Sequence, residues 1–173
     1  LGFFDTENVG IPGILLVFIF YLRSIDKERS RFSSLTYALL AGISLGYVFA
    51  SWGASRYPMS LLVLFTFILV IAKRYSRRLL ISYGILMGTS LLIAVGVPKL
   101  GLQFLSEFES VAAAGVFLIL LTKELTTYLK TRNQQILFTS LFLVAISSSV
   151  LLLWHFNLIN LPVTKFMSVI NPF

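Results

Sequence analysis

The stretch Asp5-Thr6-Glu7-Asn8-Val9-Gly10-Ile11-Pro12-Gly13-Ile14-Leu15-Leu16-Val17-Phe18-Ile19-Phe20-Tyr21-Leu22 joins a short acidic segment to an apolar block that no charge interrupts. The block, residues 9–22, is short for a membrane span of roughly 20 residues, so it needs its flanks, a tilt or a locally thinned bilayer. Similar blocks recur at about 34–52, 59–72, 79–97, 110–129 and 136–156. They are long and continuous rather than alternating, which excludes a membrane barrel of strands. With 57% hydrophobic and 12% charged residues over 173 positions, the composition is that of an integral membrane protein. The expected fold is an all-α polytopic helical bundle with about six transmembrane helices, an acidic external loop at 1–8 and an external tail at 157–173.

The net charge of +7 is explained by topology and calls for no nucleic-acid partner. If the Asp5/Glu7 end is outside and every block crosses, Arg23, Lys27, Arg29, Arg31, Lys73, Arg74, Arg77, Arg78, Lys130 and Arg132 all fall inside, and only Arg56, Lys99 and Lys165 fall outside. That asymmetry is what the positive-inside rule requires. Asp5, Glu7, Glu107 and Glu109 then share the extracytoplasmic face. The chain begins at Leu1, without the basic region and cleavage site of a signal peptide, so it is expected to be an internal piece of a longer protein or a processed chain.

Few side chains can do chemistry. The absence of cysteine removes disulfides, thiolate metal sites and Cys nucleophiles. His155, next to Trp154, suits an interfacial aromatic belt better than a metal site, because no second His or Cys exists to complete one. Lys123-Glu124 reads as a snorkelling neighbour pair near the inner interface. Arg56 reads as an ordinary interfacial arginine, and Ser147-Ser148-Ser149 as hydroxyls bonded to their own helix or packed on a neighbour. Gly42 and Gly46, one turn apart, would let a neighbouring helix approach closely. Asp5 and Glu7 remain. Two apart, they can share one target, and a hard divalent cation such as Mg²⁺ or Mn²⁺ is the natural partner of such a pair. The same carboxylates would also favour a helix N-terminus through capping and the dipole.

Four segments, in order, carry a family resemblance. Asp5-Thr6-Glu7-Asn8-Val9-Gly10 looks like an acidic D-x-E element. Gly46-Tyr47-Val48-Phe49-Ala50-Ser51-Trp52-Gly53-Ala54 is similar to an aromatic Trp-Gly-Gly segment. Arg74-Tyr75-Ser76-Arg77-Arg78-Leu79-Leu80-Ile81-Ser82-Tyr83 resembles a G-R-F-S-x-R-I-Y-x-A-Y turn. Glu109-Ser110-Val111-Ala112-Ala113-Ala114-Gly115-Val116-Phe117 resembles an S-E-H-M-A-A-x-G-V-F stretch. Together they resemble the transmembrane part of the catalytic subunit of asparagine-linked oligosaccharyltransferase, over roughly residues 5–128. Ala54 and Ser110 replace a glycine and a histidine of the eukaryotic pattern, which favours an archaeal-type member in a prokaryotic cell membrane.

The resemblance implies transfer of an oligosaccharide from a polyprenyl (dolichyl) phosphate or pyrophosphate donor to asparagine in Asn-x-Ser/Thr acceptors. It favours metal binding by Asp5 and Glu7 over capping alone. Its implied partners are a lipid-linked oligosaccharide, an acceptor polypeptide, membrane lipid and the remaining parts of the catalytic subunit. The family's upstream acidic motif, its Trp-Trp-Asp motif and its later glutamate loop are not in this sequence, so the stretch is incomplete for catalysis alone. No catalytic residue is assigned, Glu109 included, since a carboxylate at a helix N-terminus explains it. Two alternatives stand: another polyprenyl-phosphate-sugar-dependent membrane glycosyltransferase, and a non-catalytic membrane scaffold.

Overall fold

The computed structural model describes residues 7–52, 54–129 and 131–156, without the side chains of Glu7, Val9, Val150, Leu153 and Trp154. Among these residues the chain is helical: α1 (Glu7–Ile25), α2 (Arg31–Ser51), α3 (Arg56–Ile71), α4 (Arg77–Gly96), a short 3-10 helix (Leu102–Ser106), α5 (Phe108–Thr126) and α6 (Arg132–His155). By length and composition α2 and α4 are long and apolar enough to cross a membrane, and Gly10–Ile25 and Arg56–Ile71 form shorter apolar helices.

Helix bounds depart from the apolar blocks in one direction. Helices α2 to α6 each begin two to four residues before their block, and α1 begins at Glu7, inside the segment expected to be a loop. First-turn N–H groups have no intrahelical acceptor, so polar residues belong there. The Ser30 hydroxyl accepts from Ser33 N–H to open α2, and the Ser76 hydroxyl accepts from Leu79 N–H to open α4, each at 3.2 Å. Likewise the stretch between the blocks at 79–97 and 110–129 is mostly structured, holding the 3-10 helix and the start of α5. Helix α3 ends with the Lys73 N–H donating to the Val70 carbonyl and the Arg74 N–H to the Leu69 carbonyl. This is a Schellman closure with Lys73 at φ 57° where glycine is usual.

Helices alternate in direction, so α2 and α4 run parallel, and α2 makes its most extensive contacts with α1 and α4. Gly42 and Gly46 create that contact. A Cβ on Gly42 would lie 2.8 Å from the Leu86 carbonyl oxygen, and one on Gly46 would lie 2.6 Å from Ile93 Cδ1. The expected close neighbour is thus α4, and its backbone sits where a side chain would go.

The core is apolar but stitched by hydroxyls. Tyr21, Leu45, Met59, Tyr83, Leu86 and Leu120 are buried. The Tyr21 hydroxyl is 2.7 Å from Thr66 Oγ1, tying α1 to α3, and the Tyr83 hydroxyl donates to the Ala113 carbonyl at 3.1 Å, tying α4 to α5. The hydroxyls of Ser34 and Ser82 both donate to the Ser24 carbonyl, and Arg78 donates to the Asp26 carbonyl. These bonds join the end of α1 to the starts of α2 and α4 and satisfy polar atoms that water cannot reach.

The outward faces are apolar too. Leu15 on α1, Leu39 on α2, Ile68 on α3 and Leu92 on α4 are exposed, where a bundle in water would carry charge. Helix α6 packs mainly on α5 and exposes Ile136, Leu137, Leu141, Val144 and Leu151. Its Ser148 and Ser149 hydroxyls donate to the Ala145 carbonyl, as expected for hydroxyls in an apolar helix. The expected tail at 157–173 lies outside the described residues.

Gly42 and Gly88 give a direct test, because nothing lies within 4 Å of a Cβ at Gly88. Gly42→Leu is expected to lower stability by about 1–3 kcal/mol through overpacking against α4. Gly88→Ala should be neutral or stabilising by up to about 1 kcal/mol through helix propensity. Thermal unfolding of the detergent-solubilised protein measures both.

Candidate functional site

The bundle has two chemically different ends. At one, the start of α1, the end of α2, the start of α3 and the start of α5 come together. Gly10 makes this possible: the Trp52 ring lies so close that a Cβ on Gly10 would be 2.8 Å from Trp52 Cδ2. The acidic segment and the Trp-Gly segment are therefore in contact, although more than forty positions of sequence separate them. Pro12, inside α1, cannot donate to the Asn8 carbonyl.

Beside Trp52 is a cleft of about 220 Å³, lined by Phe49, Ser51, Trp52, Arg56, Lys99, Gln103 and Glu107. Arg56 donates to Glu107 through both arms of its guanidinium, Nε to Oε2 at 2.5 Å and Nη2 to Oε1 at 2.6 Å. This is the fork geometry that makes arginine and carboxylate a directional pair. It corrects the expectation of an ordinary interfacial arginine: Arg56 fastens the loop before α5 to the start of α3. Among the described residues Lys99 forms no ion pair, so it adds a positive charge to the cleft wall. Glu109 sits in the first turn of α5, where the helix dipole favours a carboxylate, as expected. The Ser110 hydroxyl donates to the Phe104 carbonyl at 2.7 Å and fixes the start of α5 to the 3-10 helix.

Of the predicted metal ligands, Asp5 lies outside the described residues, and of Glu7 only the backbone at the start of α1 is described. Among the described residues no group of three or more His, Cys, Asp or Glu could hold a metal ion. The donor set of Asp5 and Glu7, two carboxylates and nothing soft, fits a hard divalent ion that keeps water or phosphate in its remaining positions. His155 closes α6 and is exposed, with its ring 5.7 Å from Phe156 in an edge arrangement.

The other end is basic and structural. Arg23, Lys27, Arg29, Arg31, Lys73, Arg74, Arg77 and Arg78 gather there against Asp26, Glu28 and Glu124. Tyr75 donates to Glu124 Oε2 at 2.6 Å, and Arg77 Nε lies 3.5 Å from Glu124 Oε1. Glu124 is therefore not a neighbour pair with Lys123. It ties the turn before α4 to the end of α5, a role that sequence spacing could not show. Gly84 likewise meets Phe117, whose Cε2 would lie 2.9 Å from a Cβ there. The Tyr83 hydroxyl on the Ala113 carbonyl joins the third and fourth resemblance segments directly.

Two measurements check these contacts. A double-mutant cycle with Arg56→Ala and Glu107→Ala is expected to give a coupling of about 1 kcal/mol, the upper end for a partly exposed pair. Burial first, and the Glu124 hydrogen bond second, push the Tyr75 phenol above its ordinary value, so its contribution is complete below about pH 10 and is lost as pH rises through the folded value. Tyr75→Phe should then cost about 1 kcal/mol at neutral pH, a difference from the parent that shrinks in alkaline solution.

Similar proteins share one description. The family model "Oligosaccharyl transferase STT3, N-terminal" matches residues 1–171. The dolichyl-diphosphooligosaccharide–protein glycosyltransferase subunit STT3B of Arabidopsis thaliana is 28% identical over 151 residues, covering 87% of this chain and 20% of that protein. The STT3B subunit of Oryza sativa subsp. japonica is 30% identical over 119 residues, 69% of this chain and 16% of that protein. The STT3 subunit of Saccharomyces cerevisiae is 22% identical over 171 residues, 99% of this chain and 23% of that protein. The chain thus spans about a fifth of the length of these relatives. With the family model matched almost from end to end, the chain belongs to the STT3 oligosaccharyl transferase family, in its N-terminal part.

Proposed function

We propose that this chain is the donor-side membrane portion of an oligosaccharyltransferase catalytic subunit. The whole protein transfers an oligosaccharide from a polyprenyl (dolichyl) phosphate or pyrophosphate donor to the side-chain amide of asparagine in Asn-x-Ser/Thr acceptors. The observation that carries this reading is the convergence, at one end of the bundle, of Gly10 at the start of α1, Trp52 and Glu107 at the start of α5. Those elements are far apart in sequence and are the ones that resemble the family's motifs.

Six membrane spans, with the acidic end extracytoplasmic, fit the apolar outer faces and the loop-charge asymmetry. The departures at Ala54 and Ser110 support an archaeal-type member in a cell membrane. A donor's polyprenyl tail would stay in the bilayer, so its phosphate would lie at the helix mouth. Asp5 and Glu7 would hold a divalent ion there, Mg²⁺ or Mn²⁺, which supplies Lewis-acid stabilisation of charge on phosphate oxygens. Lys99 places a further positive charge beside the cleft. Arg56 and Glu107 hold the loop between α4 and α5 in place, which keeps the mouth of the site in one shape. The remaining parts of the subunit complete the acceptor site.

The test uses the full-length protein in membranes, with an Asn-x-Ser/Thr peptide and a glycan acceptor offered in parallel. Asp5→Ala and Glu7→Ala are each expected to lower peptide glycosylation by about a hundredfold or more and to shift its divalent-ion dependence. Unchanged activity with unchanged ion dependence would overturn the metal role, and transfer to the glycan alone would overturn the acceptor class.

A further inference from the structure

The basic end holds a second cleft that the transfer reaction does not use. It is about 400 Å³ and is lined by Arg31, Ser34, Leu35, Arg77, Arg78 and Ile81. Three guanidinium groups therefore border one concavity between the starts of α2 and α4. Their partners leave charge over. Arg78 is engaged by a neutral carbonyl, that of Asp26. Arg77 meets Glu124 only at 3.5 Å, with its side chain 72% exposed. Arg31 is exposed and has no ion pair among the described residues. Both helices open here, so the positive ends of two helix dipoles add potential to the same space.

The cleft's wall continues as apolar surface. Leu35, Leu39 and Ile43 are exposed at four-residue intervals along α2, and Ile81 and Leu92 are exposed along α4. Helices α2 and α4 approach closely at Gly42 and Gly46. The pocket's apolar wall, Leu35 and Ile81, is thus continued by exposed apolar side chains along both helices toward the other end of the bundle.

We propose that this cleft is a binding site for an anionic glycerophospholipid of the cytoplasmic leaflet, its phosphate among Arg31, Arg77 and Arg78 and an acyl chain along the exposed apolar side chains of α2 and α4. The inference rests on the membrane orientation proposed above. Basic pockets between spans on the cytoplasmic side suit such headgroups because charge attraction and chain burial act together. A soluble phosphate would gain only the first. Bidentate arginine contacts to phosphate oxygens give the site its geometry. The site would fasten the parallel α2–α4 pair to one leaflet, at the end opposite the catalytic mouth.

The experiment uses the full-length protein purified in mild detergent, with native mass spectrometry of added phosphatidylglycerol, phosphatidylcholine or inorganic phosphate. Phosphatidylglycerol is expected to be retained over phosphatidylcholine, and Arg31→Gln to weaken that retention about tenfold, the loss of one charged contact. Arg31 is exposed and unpaired, so this variant is expected to fold. Leu39→Ala should weaken retention less, by shortening that apolar surface. Equal retention of both lipids, retention unchanged by Arg31→Gln, or full competition by millimolar phosphate would each overturn the proposal. Peptide glycosylation and detergent extraction are followed on the same preparations, so failure of the lipid site is distinguished from failure of the transferase or membrane reading.

Discussion

The close approach of two parallel helices, α2 and α4, is the constraint on which the rest of this structure depends. Hydrophobic burial cannot draw helices together in an apolar surrounding, so contact must come from shape and from satisfied polar groups. Gly42 and Gly46 supply the shape by letting the backbone of Leu86 and the side chain of Ile93 occupy the place of a Cβ. Ser34 and Ser82 supply the polar part by sharing the Ser24 carbonyl, which brings α1 into the same unit.

From that unit the two ends acquire different tasks. At the basic end, Tyr75, Arg77 and Arg78 reach α5 and α1, so a segment that looks like a surface turn serves as a clamp. At the acidic end, Gly10 accepts the Trp52 ring and the Arg56–Glu107 fork holds down the loop before α5. At each end a charged side chain is paired across helices, Arg56 with Glu107 at one and Arg77 with Glu124 at the other. The apolar middle carries hydroxyls, with Tyr21 on Thr66 and Tyr83 on the Ala113 carbonyl.

Family membership connects this arrangement to a chemistry. Segments that resemble the family's motifs would mean little scattered over a bundle. Here Gly10 at the start of α1, Trp52 and the start of α5 meet at one mouth, while the Arg74–Tyr83 and Ala112–Phe117 stretches pack on each other. The first set frames the cleft beside Trp52 and the second keeps the helices that carry it in register.

The sequence by itself determined the helical class, the order of the apolar elements and the basic character of one end, because these depend on composition and periodicity along the chain. It also announced the Gly42/Gly46 contact, since a small-residue pair one turn apart has few other uses in an apolar helix. Helix starts were less legible, because first turns such as Arg31-Phe32-Ser33 are polar for the same reason that they are helical: their N–H groups need partners. Only the tertiary structure decided that Glu107 answers Arg56 and that Glu124 answers Tyr75 and Arg77 rather than Lys123. It alone set Trp52 on Gly10. Those pairings join positions roughly forty to fifty residues apart, and spacing along a chain carries no record of which two helix ends will meet.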